Sequence, residues 1–374
     1  MVTRFLFYSH DGYGLGHVRR NSLIARAVLD ADPDAAVSVV TGLTARPRWL
    51  EGSERVRVHR VPPLLKGPDG SYRHETLSFE DAVRERERIF AALIDEERPD
   101  VVVVDRHPYG TAGELRTGLD VARRQGSAVV LGLRDVLDEP SVVRREMHGL
   151  GWAGVEEVYD DILVYGARAF LDHEAEYGLA ADLRYCGWVV ERPGPTEVDP
   201  DLLVVAAGGG GDGAGVFELG AQLLAHHPDL VGLFAPGPYA GPEALRRLGE
   251  LVEGRARIVS PSDACSRWFP RAGAVVCMAG YNSTLEALAA GHRPILVPRR
   301  FPRSEQAIRA DRLQALGLAD VVQPAADPAD ISLWLGDRPR LLPEGALHEA
   351  GIDLGGAQAA AARLHELSGA RTRS

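Results

Sequence analysis

The chain has 374 residues, more than one ordinary domain holds, so two domains are the default expectation. Its 45% hydrophobic and 25% charged residues are those of a globular protein, and no apolar run approaches the ~20 residues that span a bilayer. A net charge of −11 argues against a general nucleic-acid or anionic-membrane binder, although Arg299, Arg300 and Arg303 form a local basic cluster.

No charged-then-apolar leader precedes the first strand, and Cys186, Cys265 and Cys277 show neither pairing nor metal spacing, so the chain reads as cytoplasmic. Strand 4–9 (RFLFYS) runs into Gly12-Tyr13-Gly14-Leu15-Gly16-His17 and a helix over 18–31, apolar at Leu23, Ile24, Ala27 and Val28. Strands are expected at 36–41 and 56–61. Residues 62–76 are polar and punctuated by Gly and Pro, which predicts a loop. A helix over 78–96 turns Ile89, Leu93 and Ile94 to one side. The β-branched strand 101–104 ends at Asp105-Arg106-His107-Pro108. A helix at 114–125, a strand at 128–133 and a last strand at 162–164 complete the first half.

Residues 187–201 hold three prolines and little periodicity, which reads as a linker. The second half restarts with strand 202–206, the loop Gly208-Gly209-Gly210-Gly211-Asp212-Gly213 and a helix over 216–226. Further strands are expected at 230–234, 256–259 and 274–277. Two successive βαβ arrays predict an α/β protein of two doubly wound, Rossmann-like lobes, over 1–190 and 200–350. A final helix, about 357–368, ends the chain.

The second half is organised around 275–298, VVCMAGYNSTLEALAAGHRPILVP. It reads as strand, turn at Gly280, helix from Asn282-Ser283-Thr284, stop at Gly291, and a second strand. Parallel strands joined by one helix leave its N-terminus at the carboxyl edge of the sheet, where anions bind. Glu286 is expected in the first turn of that helix, close enough to reach a sugar hydroxyl beside such an anion, so a nucleotide diphosphate is the natural guest. The four glycines 208–211 read either as a diphosphate cradle or as a plain tight turn. The first glycine loop fails as a dinucleotide fingerprint: the G-x-G-x-x-G spacing is absent, and Thr41-Gly42 stands where an acidic residue would end the next strand.

The block 275–298, with Arg299, Glu305-Gln306 and Arg309-Ala310 behind it and the two glycine loops ahead, resembles the donor-binding region of GT-B glycosyltransferases. The likeness is to the family 28 enzymes, those similar to the bacterial N-acetylglucosaminyltransferase of peptidoglycan synthesis. It implies two facing lobes, with the C-terminal helix packing back on the first, and inverting, metal-independent transfer from a nucleotide sugar, a UDP-sugar foremost. No cofactor is implied. The acceptor would be a small molecule, a glycan or a lipid-linked sugar, with at most peripheral membrane contact.

The resemblance assigns donor contacts to Gly208, Gly209, Gly210, Gly211, Gly280, Asn282, Ser283, Thr284, Glu286, Arg299, Glu305 and Gln306. It places the acceptor near Gly14, Gly16, Arg106 and His107. His17 matches the family's loop histidine. An imidazole removes a hydroxyl proton at neutral pH, and a carboxylate behind it, here Asp105, fixes its tautomer. The plainer readings are a helix cap or phosphate ligand for His17, a solvated strand end for Asp105, and surface residues for Glu286, Arg299 and the Glu305-Gln306 pair. His10 is a weaker rival base. The sequences Asp32-Pro33-Asp34 and Asp199-Pro200-Asp201 fall in turns, away from the glycine loops. Gly14-Leu15-Gly16-His17-Val18 also looks like the entry loop of nucleotide-sugar hydrolases of nonulosonic acid synthesis, which makes water the alternative acceptor. Epimerases of similar architecture and a non-enzymatic sugar sensor are further alternatives.

Overall fold

The structure is a computed structural model that describes residues 2–9, 16–43, 53–66, 72–179, 182–209, 213–237, 240–252, 254–260, 267–323 and 326–371. The chain divides into two compact units, one of Met1–Val189 with Gly355–Ser374 and the other of Val190–Leu354.

Unit 1 begins with β1 (Arg4–Ser9), α1 (Gly16–Ala31), β2 (Ala36–Thr41), β3 (Val56–Arg60) and the short pair β4 (Leu65–Lys66) and β5 (Tyr72–Arg73). It continues through α2 (Phe79–Glu97), β6 (Val101–Asp105), α3 (Arg116–Arg124), β7 (Ala128–Arg134), α4 (Pro140–Met147) and α5 (Val155–Val158). β8 (Asp161–Tyr165), α6 (His173–Tyr177) and β9 (Leu183–Tyr185) follow. The seven-stranded sheet runs β3-β2-β1-β6-β7-β8-β9, and every pairing in it is parallel. Strands covered by helices on both faces must be apolar throughout, and Val101 to Val104 are fully buried accordingly.

Ser78 starts α2 by accepting the Asp81 amide on its hydroxyl at 3.0 Å, and Arg98 closes it in the left-handed region. Phe90, Leu93 and Ile94 form the buried stripe of α2, each contributing about 1.5–3 kcal/mol over an exposed position. Ile89, expected on that stripe, is only half-buried. Two features depart from the sequence expectation. The stretch 62–76 carries the antiparallel β4–β5 pair rather than loop alone. β9 adds a strand beyond β8, which the sequence placed last. Its three residues, Leu-Arg-Tyr, are too few for a period to register.

Unit 2 comprises β10 (Asp199–Ala206), α7 (Ala214–His226), β11 (Val231–Ala235), α8 (Pro242–Val252), β12 (Ala256–Ile258) and β13 (Ala272–Cys277). Then come α9 (Tyr281–Ala289), β14 (Ile295–Leu296), α10 (Glu305–Ala315), β15 (Asp320–Val321), α11 (Pro328–Leu333) and α12 (Ala346–Glu349). Its six strands lie in the order β12-β11-β10-β13-β14-β15, again all parallel. Leu219, Leu223 and Leu224 of α7 pack on Leu203 and Val205 of β10 and Phe234 of β11 in one buried cluster. Gly220 lets α7 close on the sheet, since a β-carbon there would meet Val205 at 2.7 Å. The order reverses between β10 and β13, so the carboxyl ends of β10, β11 and β13 flank the switch point.

After unit 2 the chain returns to unit 1 as α13 (Gly356–Arg371). α13 packs on α1, where His365 stacks edge-on against Phe5 at 5.1 Å and Arg363 pairs with the buried Asp161 at 2.5 Å.

Candidate functional site

In unit 1 the candidate residues converge at the carboxyl end of β6 and the start of α1. The valine run of β6 ends in Asp105, whose side chain is fully buried rather than solvated. An isolated buried carboxylate would be strongly disfavoured. Arg20, almost one turn along α1 from His17 and only 2% exposed, removes that penalty. Its Nη2 donates to Oδ1 at 2.8 Å and to Oδ2 at 2.7 Å. His17 Nδ1 lies 3.3 Å from the same Oδ1, with the imidazole 20% exposed. Burial pushes the Asp105 carboxyl upward, but the charge of Arg20 and then that of His17 outweigh it and hold it at about 2. Asp105 is therefore an anion throughout the neutral range, able to orient an imidazole and to stabilise its protonated form.

Sequence reasoning missed Arg20. Its i+3 spacing from His17 puts both side chains on one helix face, which is a readable signal, but a buried arginine on that face was not expected. The residues after Asp105 are unusual. Arg106 and His107 adopt φ of 32° and 62°, and each non-glycine residue in that region costs roughly 1–2 kcal/mol. Arg106 is 3% exposed, and its guanidinium bonds Leu137 O and Glu146 Oε2, each at 3.0 Å. Its side chain thus ties down the segment after β7, and an acceptor contact would have to compete with those bonds. Gly16 opens α1, whereas Gly14 and His10 lie outside the described residues.

In unit 2 the carboxyl ends of β10, β11 and β13 carry the other candidates. Gly208 and Gly237 both have positive φ, 72° and 81°, and Gly209 is half-buried beside Gly208. Gly210 and Gly211 lie outside the described residues. Gly280 is the N-cap of α9 without a side chain to satisfy the first turn, whose leading amides have no partner within the helix. Asn282 is half-buried, Ser283 is 7% exposed and Glu286 is 4% exposed, in the second turn rather than the first. A β-carbon on Gly208 would sit 3.3 Å from Ser283 Oγ, so the glycine turn and the start of α9 adjoin. Thr284 is fully buried, and its Oγ1 has no hydrogen-bond partner among the described residues. A glycine turn, a helix start whose N-cap has no side chain and a buried hydroxyl with no partner among the described residues suit an anion.

The residues after β14 form their own network. Arg299 Nη2 pairs with Glu305 Oε1 at 2.6 Å, and Gln306 Oε1 accepts the Arg299 amide at 3.1 Å. Glu305 and Gln306 are 5% and 8% exposed, so neither is a surface residue. Arg309, 1% exposed, donates to Ala279 O at 2.9 Å and anchors the turn before α9. The two Asp-Pro-Asp turns are local: Asp32 Oδ1 accepts the Asp34 amide and Asp199 Oδ1 that of Asp201. Among the described residues no three His, Cys, Asp or Glu side chains gather to hold a metal ion, and no helix is long and apolar enough to cross a membrane.

No protein-family model matches the sequence, and no curated protein matches it. Solved structures do match the fold over nearly all of the chain. MurG of Acinetobacter baumannii superposes with a TM-score of 0.58 at 14% identity, covering 100% of both chains. A Listeria monocytogenes protein assigned as a UDP-N-acetylglucosamine 2-epimerase gives 0.63 at 13% identity, over 100% of this chain and 97% of its own. The glycosyltransferase SnogD from Streptomyces nogalater gives 0.59 at 18% identity, over 99% and 100%. With two all-parallel sheets in one polypeptide and these neighbours, the chain has the GT-B fold.

Proposed function

We propose that this protein is an inverting, metal-independent glycosyltransferase that moves a sugar from a nucleotide sugar, a UDP-sugar foremost, to a hydroxyl acceptor. The acceptor is a small molecule, a glycan or a lipid-linked sugar. One observation carries the reading: a buried, ionised Asp105 within 3.3 Å of a partly exposed His17. The acceptor hydroxyl gives its proton to the imidazole while its oxygen bonds to the anomeric carbon and the bond to the diphosphate oxygen breaks. Asp105 stabilises the imidazolium. The departing diphosphate gathers charge, which the amides of α9 and the hydroxyls of Ser283 and Thr284 are suited to receive. Glu286 holds the ribose hydroxyls of the donor. That a neighbour is assigned to UDP-N-acetylglucosamine and another is a glycosyltransferase supports a nucleotide-sugar substrate.

The test is a thermal-shift panel of UDP-, GDP- and dTDP-sugars, because a ligand at a hundred times its Kd stabilises by about 2.7 kcal/mol. The sugar that shifts the midpoint is then incubated with and without candidate acceptors. Release of free sugar without acceptor, at the rate seen with it, identifies the hydrolase instead. Absence of a shift from every nucleotide sugar overturns the reading.

A further inference from the structure

Beyond this reading, and resting on it only for its consequence, the geometry of Arg20 assigns a protonation state to His17. One nitrogen, Arg20 Nη2, lies almost equally far from the two oxygens of Asp105, at 2.8 and 2.7 Å. A nitrogen on the axis of a carboxylate aims one hydrogen between both oxygens, which leaves its second hydrogen for another acceptor. The His17 Nδ1 stands there, at 3.2 Å. Nδ1 is also 3.3 Å from Asp105 Oδ1, so two partners compete for it. It can accept from the guanidinium only without a proton, and it can donate to the carboxylate only with one. We infer that Arg20 is a positioning residue that holds the neutral His17 as its Nε2–H tautomer.

Among the described residues, Asp105 at the end of β6 and Arg20 on its own helix are the charged side chains that meet His17 Nδ1. The guanidinium is itself kept in place by the Tyr165 ring of β8, 5.7 Å below it. Because the Asp105 anion is already paired with Arg20, it pulls less on an Nδ1 proton than a lone carboxylate would. In the resting state the outer nitrogen is therefore a hydrogen-bond donor. It becomes a base only after Nε2 gives its proton to solvent, Nδ1 takes one from solvent and turns it toward Oδ1, and the second hydrogen of Arg20 moves away. Arg20 thereby sets the fraction of molecules ready to accept a proton.

The experiment is a long-range ¹H–¹⁵N spectrum of the full chain well above the ordinary imidazole pKa of about 6.5. His17 is assigned among the twelve histidines by the signal lost in His17→Gln. The expected wild-type pattern is a bare Nδ1 and a protonated Nε2, and Arg20→Met moves the proton to Nδ1. A wild-type Nδ1–H or doubly protonated ring, or an unchanged pattern in Arg20→Met, overturns the inference. If Arg20→Met does not fold, the wild-type spectrum decides by itself. No sugar is present in this measurement, so its outcome is separate from whether the protein transfers one.

Discussion

The carbonyl oxygen of Gly208 occupies the space that a side chain on Gly237 would need: a β-carbon there would lie 1.9 Å from it. The turns that end β10 and β11 are thus packed backbone to backbone, and Gly237 also sits at φ 81°. Gly237→Ala must push the two turns apart, in addition to the roughly 1–2 kcal/mol that its backbone angle costs a non-glycine residue. We expect a lower urea midpoint and loss of the nucleotide-sugar thermal shift. Retention of both would mean that the two turns are free to separate.

His17→Ala is expected to leave the donor-induced thermal shift intact, because the residue belongs to unit 1 and the donor contacts are assigned to unit 2. Turnover should fall by about 10²–10⁴-fold, the usual contribution of a general base. A parallel loss of donor binding would reassign the histidine to the phosphate.

Thr284→Val tests the buried hydroxyl. The swap keeps volume and removes an oxygen with no partner among the described residues, so stability should hold or rise slightly. Donor affinity should drop, by an amount near the ~1.5–3 kcal/mol of a hydrogen bond to a charged group. Calorimetry with the identified nucleotide sugar gives both numbers. Unchanged affinity would assign Thr284 to packing alone.

Asp105 makes stability depend on acid. Its folded carboxyl titrates at about 2 against an ordinary 3.8. A depressed folded value stabilises above the unfolded pKa, and that stability is lost as pH falls through 3.8 toward 2. The difference is on the order of 2 kcal/mol. Asp105→Asn removes this slope and leaves the Arg20 charge buried without its carboxylate, at a cost of about 3–5 kcal/mol. Denaturant titrations of both proteins between neutral pH and the acid limit measure it. An unaltered acid slope in the variant would contradict the assignment.

The framework was legible where a single physical preference dominates. β6 is nearly all valine, and a β-branched run between helices has little choice but a central parallel strand. Helix α2 was expected from about Ser78 because its apolar residues keep a helical period; its Ser78 cap came only with the structure. Of the candidate site, the turn at Gly208 and the start of α9 were legible as backbone features, since those leave residue-type signatures. Arg20 was not, because a buried guanidinium is recognised only through the carboxylate it meets, 85 positions away. The same holds for Arg86, fully buried with Tyr8 and Glu114: it bonds both, yet its sequence neighbourhood, RERERIF, reads as a solvated helix face. Long-range polar pairs leave no local period.

The return of the chain has a topological consequence. Val189 and Gly355 form an antiparallel bridge, and the Gly356 amide donates to Trp188 O at 3.0 Å. Unit 2 is therefore an insert whose entry and exit points touch within unit 1. Splicing Val189 directly to Gly355 through a short turn should leave unit 1 with an uninterrupted sheet and its closing helix. A half-molecule made this way could be expressed and studied without unit 2.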